Sequence, residues 1–537
     1  MESPARPILS ATGIFLAATI ITLAYAWCTD HQWEDYWITF RAAKNLATGN
    51  GLVHNVGEPL HSFTSPLGVL LPAFASFITG GSNDIAALWV FRIISIAAYA
   101  GAAALMFIIA SRLHLHRIAA AFLAVWILTD NKSQDFATNG MEAGILLLFI
   151  AYALWSLFTD CGRRRWLHLG LSWGGLMWTR PDSFIYISMM GLGVLLFNDS
   201  TRTGFTRKQW FQVMLKAAGV CTIVYLPWFI TAWIYYGTPI PHTITAKASI
   251  AGEKHLWEAA WAFISLPVTG ILDFSTLELT FAPSNLNFGG WPLAIEIVCR
   301  IVALAAYLVW LVPMIRWEAR LASFVYAVFV AYLNYYPAYP ASWYLQAPAW
   351  LALFALAGLL DHGLRQGGRP LARTAVIAST AFALLGAWMS LHAGQLFAVQ
   401  QKIVDGGNRR DIGLWLKEHS SPGDTVFIEC LGYIGYYSGM RTYDWPGMSS
   451  PEVVKASRES GHSWQRIVHQ LKPDWLVLRP HEAVYTLHGM DADNSRDYEL
   501  VKTFDVTRKL EKLELQGKGL LAFDGCFFVF HRRPDAP

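Results

Sequence analysis

Charge is scarce in this sequence. Only 15 % of its 537 residues are Asp, Glu, Lys or Arg, against about 25 % in an average soluble protein. A disordered chain or a long coiled coil would carry far more. The net charge of +3 is too small for a nucleic-acid binder. Cysteine is equally sparse: six residues, none in a C-x-x-C pair, so no secreted disulfide framework is built here.

Apolar length is abundant. Hydrophobic residues make up 54 % of the chain, with 24 Trp, 21 Tyr and 31 Phe, and mean hydropathy is +0.34. Such a composition suits a protein with long membrane interfaces. The few charges are unevenly placed: residues 396–537 hold 37 of the 79. The chain therefore divides into a membrane part, 1–395, and a soluble tail, 396–537.

A span needs about 20 mostly apolar residues. Candidates lie near 8–27, 85–110, 141–158, 211–236, 291–315, 319–336, 343–361 and 374–393, with shorter ones near 117–129, 166–179 and 183–197. The expected fold class is a polytopic α-helical membrane protein of about 11 transmembrane helices with a C-terminal α/β soluble domain. The run 66–79 is short and opens Ser65-Pro66, so it reads as a re-entrant or interfacial helix. Ala24-Tyr25-Ala26 resembles a signal-peptidase site, but the long apolar stretch reads as a first membrane helix.

With the N-terminus inside, 15 of the 23 basic residues before residue 396 fall in inner loops, among them Arg6, Arg163, Arg164, Arg165, Arg207 and Arg369. The positive-inside rule then places the tail outside. The expected location is the plasma membrane, with site and tail extracytoplasmic.

On the outer face the polar segments converge: Trp33-Glu34-Asp35-Tyr36-Trp37, Arg41, His54-Asn55, Glu58, His61, Thr64-Ser65-Pro66, Asn139-Gly140-Met141-Glu142, Arg180-Pro181-Asp182, His242, Lys247, Asn334-Tyr335-Tyr336-Pro337 and Trp343-Tyr344. Each has a bland reading as an interface anchor, cap or turn. Adjacent carboxylates repel unless a cation, a metal or a shared proton attends them. Carboxylates and cations together at a lipid–water boundary suit transfer from a lipid phosphate.

These segments resemble a known family. Glu34-Asp35-x-Trp37-Ile38-Thr39-x-Arg41, Gly49-x-Gly51-Leu52-x-x-Asn55-x-Gly57-Glu58 and Thr64-Ser65-Pro66-Leu67 are similar to the first loop of GT-C glycosyltransferases. Within these, the terminal β-arabinofuranosyltransferases of mycobacterial cell walls and their bacterial relatives are the nearest type. Asn139-Gly140-Met141-Glu142, Arg180-Pro181-Asp182 and Tyr236-Gly237-x-x-x-Pro241-x-Thr243-x-x-Ala246-Lys247 resemble the later loops. In the tail, Trp415-Leu416-x-x-His419-x-x-Pro422-Gly423-Asp424 and Gly432-Tyr433-Ile434-Gly435-Tyr436-Tyr437-Ser438-Gly439 do so too.

The resemblance implies a polyprenyl-phosphate sugar donor, an envelope glycan or lipid acceptor, and a first-loop carboxylate as base. Carried over, Asp35 and Glu34 are the catalytic pair. Lys247, Arg180 and His242 are donor-phosphate ligands. Arg41, His54, Asn55, Glu58, His61, Thr64, Asn139, Glu142, Asp182 and Tyr344 line the sugar or acceptor site. No cofactor is required, and a divalent cation on the carboxylates stays open, because some GT-C relatives use one. The family has Asp-Asp where this chain has Glu34-Asp35, which leaves open which carboxylate acts.

The tail reads as α/β, with a helix at 411–419 and strands at 425–429, 475–478 and 523–531. Cys430 and Cys526 fall on strands, bonded or free. Tyr433, Tyr436 and Tyr437 either stack on sugars or pack a core. Three other functions stay open: a ligase moving a whole glycan, a lipid-linked-sugar transporter, or a non-catalytic assembly subunit. The second would want charges at mid-span and repeated broken helices, and no internal repeat is found.

Overall fold

A computed structural model describes residues 10–251, 254–336, 341–366, 368–488 and 493–534. Arg6 and Pro337, used above, lie outside them. All eleven expected spans are helical. Among the described residues, six helices are long and apolar enough to cross a membrane by themselves. The pair Asn131–Thr138 and Ala143–Phe158, bent by 119°, makes a seventh if counted as one span. Shorter apolar helices fill the bundle, including Pro66–Ile78 over the run expected to be re-entrant. A helix not anticipated from sequence, Leu256–Leu272, exposes Trp257, Trp261, Ile264 and Val268.

The two sets of loops separate to opposite ends of the bundle. At one end His116 N–H donates to Asp361 Oδ1 at 2.6 Å and Arg316 Nη1 to the Leu113 carbonyl at 3.0 Å. At the other, Lys44 Nζ meets Asp84 Oδ1 at 2.8 Å and His242 N–H donates to the His61 carbonyl at 2.8 Å. The Asp84–Arg112 helix runs between the two. Arg92 and Arg300 have local duties. Arg92 Nη1 binds Asp30 Oδ1 at 2.7 Å and its other nitrogens bind the His31 and Thr138 carbonyls at 2.6 Å. Arg300 binds Glu278 and the Ile271 carbonyl.

The junction near residue 395 is continuous helix. Arg369–Val399 passes through a wider π-helical stretch, Gln400–Arg409, into Arg410–His419. The tail beyond it is one five-stranded mixed sheet: β1 Thr425–Ile428, β2 Arg441–Asp444, β3 Trp475–Leu478, β4 Tyr498–Asp505 and β5 Cys526–Arg532. Its order is β2-β1-β3-β5-β4. β2, β1 and β3 run parallel, and β5 is antiparallel to both of its neighbours. The parallel core strands are short and apolar, as strands covered on both faces should be. The last strand starts three residues later than expected, because Gly519–Phe523 is helical. Cys430 and Cys526 are both free thiols.

The tail docks on the first loop through the Glu34–Ala47 helix. That helix has two acids in its first turn and Lys44 in its last, which complements its dipole. It buries Tyr36, Trp37 and Phe40. Trp37 packs on Tyr436 and Tyr437, ring centroids 4.7 and 5.1 Å apart. Those tyrosines and Tyr433 form the joint between the domains, so core packing rather than sugar stacking occupies them.

Candidate active site

The adjacent carboxylates Glu34 and Asp35 have different environments. Glu34 Oε1 accepts from the Gly432 backbone N–H at 2.6 Å. Its Oε2 lies 3.4 Å from Arg409 Nη1. A Cβ on Gly432 would lie 2.1 Å from the Glu34 carbonyl oxygen, so only glycine allows this approach. Burial raises the Glu34 pKa to about 7, against the pull of Arg409. Asp35, one residue on, is half-buried and makes no hydrogen bond or ion pair with the described residues. Burial raises its pKa, Lys247 and Arg180 oppose this, and Glu429 adds to it.

Neighbouring turns fix the pair. Trp33 N–H donates to the Asn139 carbonyl at 2.8 Å, and Asn139 Nδ2 donates to Asp135 Oδ2 at 2.9 Å. Gly140 has φ +99°, and a Cβ there would lie 2.4 Å from the Tyr36 ring. Asn139-Gly140 thus seats the start of the Glu34–Ala47 helix, with the Asn139 side chain held by Asp135.

Arg180 is committed to protein. Its Nη1 meets Glu142 Oε1 at 3.2 Å, and its Nε and Nη2 meet the two Asp182 oxygens at 3.2 and 3.3 Å. Its guanidinium stacks 4.3 Å from the Tyr344 ring centre. Four expected site residues therefore converge, but Arg180 is charge-matched by two carboxylates and offers a lipid phosphate little. Glu142 also lies 3.1 Å from where a Gly68 Cβ would stand, which joins this group to the Thr64-Ser65-Pro66 turn. Ser65 Oγ caps that helix by accepting from Gly68 N–H at 2.8 Å. Lys247 differs from Arg180. It projects from the His242–Ala251 helix, is exposed, and has no ion-pair partner among the described residues.

Several expected ligands hold the domains together instead. Arg41 donates to the Gly435, Gly439 and Met440 carbonyls at 2.9, 3.4 and 3.0 Å. Glu58 takes Asn55 Nδ2 at 3.1 Å on Oε2 and Arg441 Nε at 3.0 Å on Oε1. His61 stacks on Tyr236, centroids 4.7 Å apart, and burial lowers its pKa to about 4. His54 is buried near Arg41, and both effects keep it neutral. His242 is turned to the tail beside Gly447, and burial lowers its pKa. Among the described residues, no group of three or more His, Cys, Asp or Glu is arranged to hold a metal ion.

Sequence reasoning missed Glu429. It follows β1 directly, and its Oε2 is held by Arg479 Nη2 at 2.9 Å. Arg479 Nε in turn binds Asp524 Oδ1 at 2.7 Å, and Asp524 also pairs with Arg409. An ionic chain thus runs Glu34–Arg409–Asp524–Arg479–Glu429, buried in its middle and open to solvent at Glu429. A signal existed: ligands of open α/β sheets gather at the carboxyl ends of strands where the strand order reverses. β1, flanked by β2 and β3, is such a strand.

Residues 397–525 match a family described as "Domain of unknown function (DUF8728)". The chain is 25 % identical over 274 residues to the terminal beta-(1->2)-arabinofuranosyltransferase of Corynebacterium glutamicum, covering 46 % of this chain and 37 % of that protein. It is 24 % identical over 276 residues to its Mycobacterium tuberculosis counterpart, covering 47 % and 40 %. The match thus spans well under half the length of these curated relatives. Its architecture matches ArnT from Cupriavidus metallidurans bound to undecaprenyl phosphate with a TM-score of 0.53 at 12 % identity, over 98 % of this chain and 100 % of that one. An Archaeoglobus fulgidus oligosaccharyltransferase, in complex with Zn and sulfate, matches with a TM-score of 0.52 at 13 % identity, over 92 % and 72 %. In fold and in sequence the chain resembles the GT-C membrane glycosyltransferases, the terminal arabinofuranosyltransferases among them.

Proposed function

We propose that this protein is a membrane glycosyltransferase that moves one sugar from a polyprenyl-phosphate donor to an envelope glycan or lipid acceptor on the outer face of the plasma membrane. The observation that carries this reading is the half-buried Asp35 carboxylate, which makes no hydrogen bond or ion pair with a described residue and feels the charge of an exposed Lys247. Most partly buried carboxylates in this chain are spoken for, and one left unpaired is available to a substrate.

In this reading Asp35 takes the proton of an acceptor hydroxyl. The hydroxyl oxygen bonds to the anomeric carbon while the bond from that carbon to the phosphate oxygen breaks. The leaving lipid phosphate needs no proton, but its charge must be held. Lys247 fills that role, and Arg180, bound to Glu142 and Asp182, shapes the sugar side. Glu34 is a structural partner of the tail. The likeness to arabinofuranosyltransferases favours an arabinofuranosyl donor, and the ArnT structure with undecaprenyl phosphate supports a lipid carrier.

Mass spectrometry of lipid co-purifying with the protein tests the proposal. A polyprenyl phosphate bearing one pentose is the expected result. A carrier bearing a long glycan would favour a ligase instead, and sugar-lipid movement across vesicles without turnover would favour a transporter.

A further inference from the structure

We infer that Glu429, a tail residue, is the acceptor-binding carboxylate of the site, holding acceptor hydroxyls on the side of Asp35 away from the donor phosphate. The inference rests on the transferase reading and extends it. Three observations bring Glu429 to the site. The turn that follows it packs on the catalytic helix, with Gly432 N–H on Glu34 Oε1 at 2.6 Å and the Gly432 Cα hydrogen side facing the Glu34 carbonyl. Its charge acts on both Glu34 and Asp35. And Arg479 holds only Oε2, at 2.9 Å, while no described residue binds Oε1 of this half-exposed side chain.

Charge then sorts the two substrates. Lys247, a cation that acts on Asp35 and has no ion-pair partner among the described residues, comes from the membrane half, on the His242–Ala251 helix. The added carboxylate comes from the tail. A phosphate is attracted to the first and repelled by the second, whereas sugar hydroxyls are good donors to a carboxylate. Displacement at an anomeric carbon brings nucleophile and leaving group in from opposite faces. A base that feels a cation from the membrane half and a carboxylate from the tail has the two kinds of partner this requires.

The test is equilibrium binding to the purified full chain in detergent, with two probes: undecaprenyl phosphate for the donor side and an octyl arabinofuranoside for the acceptor side. Glu429→Gln should weaken the glycoside at least tenfold, the scale of a hydrogen bond to a charged group, and leave undecaprenyl phosphate within twofold. Glu429→Asp should recover part of the loss. Folding should survive, because Arg479 keeps Asp524 and Glu482. Undiminished glycoside binding in Glu429→Gln, no saturable glycoside binding by the wild type, or weakened binding of undecaprenyl phosphate would each overturn the inference. The transferase reading is judged separately, by sugar transfer from the lipid donor, so the two can fail independently.

Discussion

Glu34 and Gly432 bind each other across 398 residues of chain, at 2.6 Å, with no room for a side chain at the glycine. This contact occupies one Glu34 oxygen and brings the tail to the Glu34–Ala47 helix. An aspartate, one methylene shorter, would fall about 1.5 Å short of that N–H. The departure from the family's Asp-Asp is thus matched by a tail contact that needs the longer side chain.

Gly432→Ala should therefore undock the tail. The added Cβ would meet the Glu34 backbone at 2.1 Å, and the neighbouring backbone cannot yield cheaply. We expect faster proteolysis between 400 and 424 and loss of at least nine-tenths of transfer activity, with the sheet domain still folded. Unchanged protease resistance would show that docking does not depend on this contact.

Lys247→Ala and Arg180→Gln should separate donor binding from folding. Losing Lys247 removes a charged hydrogen bond to the lipid phosphate, so undecaprenyl phosphate should bind more weakly by about 1.5–3 kcal/mol, with Tm unchanged. Losing Arg180 leaves Glu142 and Asp182 without their cation, which costs about 3–5 kcal/mol for a buried pair, so Tm should fall. Equal donor affinity in Lys247→Ala would make that lysine an interface anchor only.

The acid limb of activity should lie above the ordinary aspartate value of about 3.9. Asp35 must be ionised to act, and burial together with Glu429 raises its pKa. Glu429→Gln should move that limb to lower pH. Glu34 gives a stability signature of opposite origin. Its pKa is raised to about 7 in the folded chain, so the folded state holds a proton that the unfolded chain releases near pH 4.3, about the free glutamate value. Its contribution is full at low pH and is lost as pH rises to about 7. Wild-type Tm minus that of Glu34→Gln should fall across this window, and a flat difference would contradict the assignment.

Much of the architecture was legible because membrane helices announce themselves by length and hydropathy. The helices under the eleven expected spans, the tail's sheet and strand Trp475–Leu478 were read directly, although among the described residues only six or seven of those helices are long and apolar enough to cross a membrane. Leu256–Leu272 was missed because Glu258 and a mid-helix Pro267 break its apolar pattern. Of the residues expected to share a face, Arg180, Glu142, Asp182 and Tyr344 are brought into contact. Arg41, Glu58 and His242 were assigned to ligands although their partners are tail atoms hundreds of residues away, Gly435, Arg441 and Gly447. One-dimensional spacing does not carry that information. Glu429 was missed although its place after β1 marks a sheet switch point, because the strand order and the docking of the tail on the Glu34–Ala47 helix are not visible in spacing alone.

The measurement that bears most directly on the whole account is single-turnover transfer by purified wild type and Asp35→Asn, using a polyprenyl-phosphate arabinose donor and an octyl arabinofuranoside. The amide keeps size and shape while removing the base. A general base contributes about 10²–10⁴-fold, so Asp35→Asn should lose at least a hundredfold in rate, with undecaprenyl phosphate affinity and Tm within error of wild type. Near-normal transfer by Asp35→Asn would contradict the base assignment and the mechanism built on it.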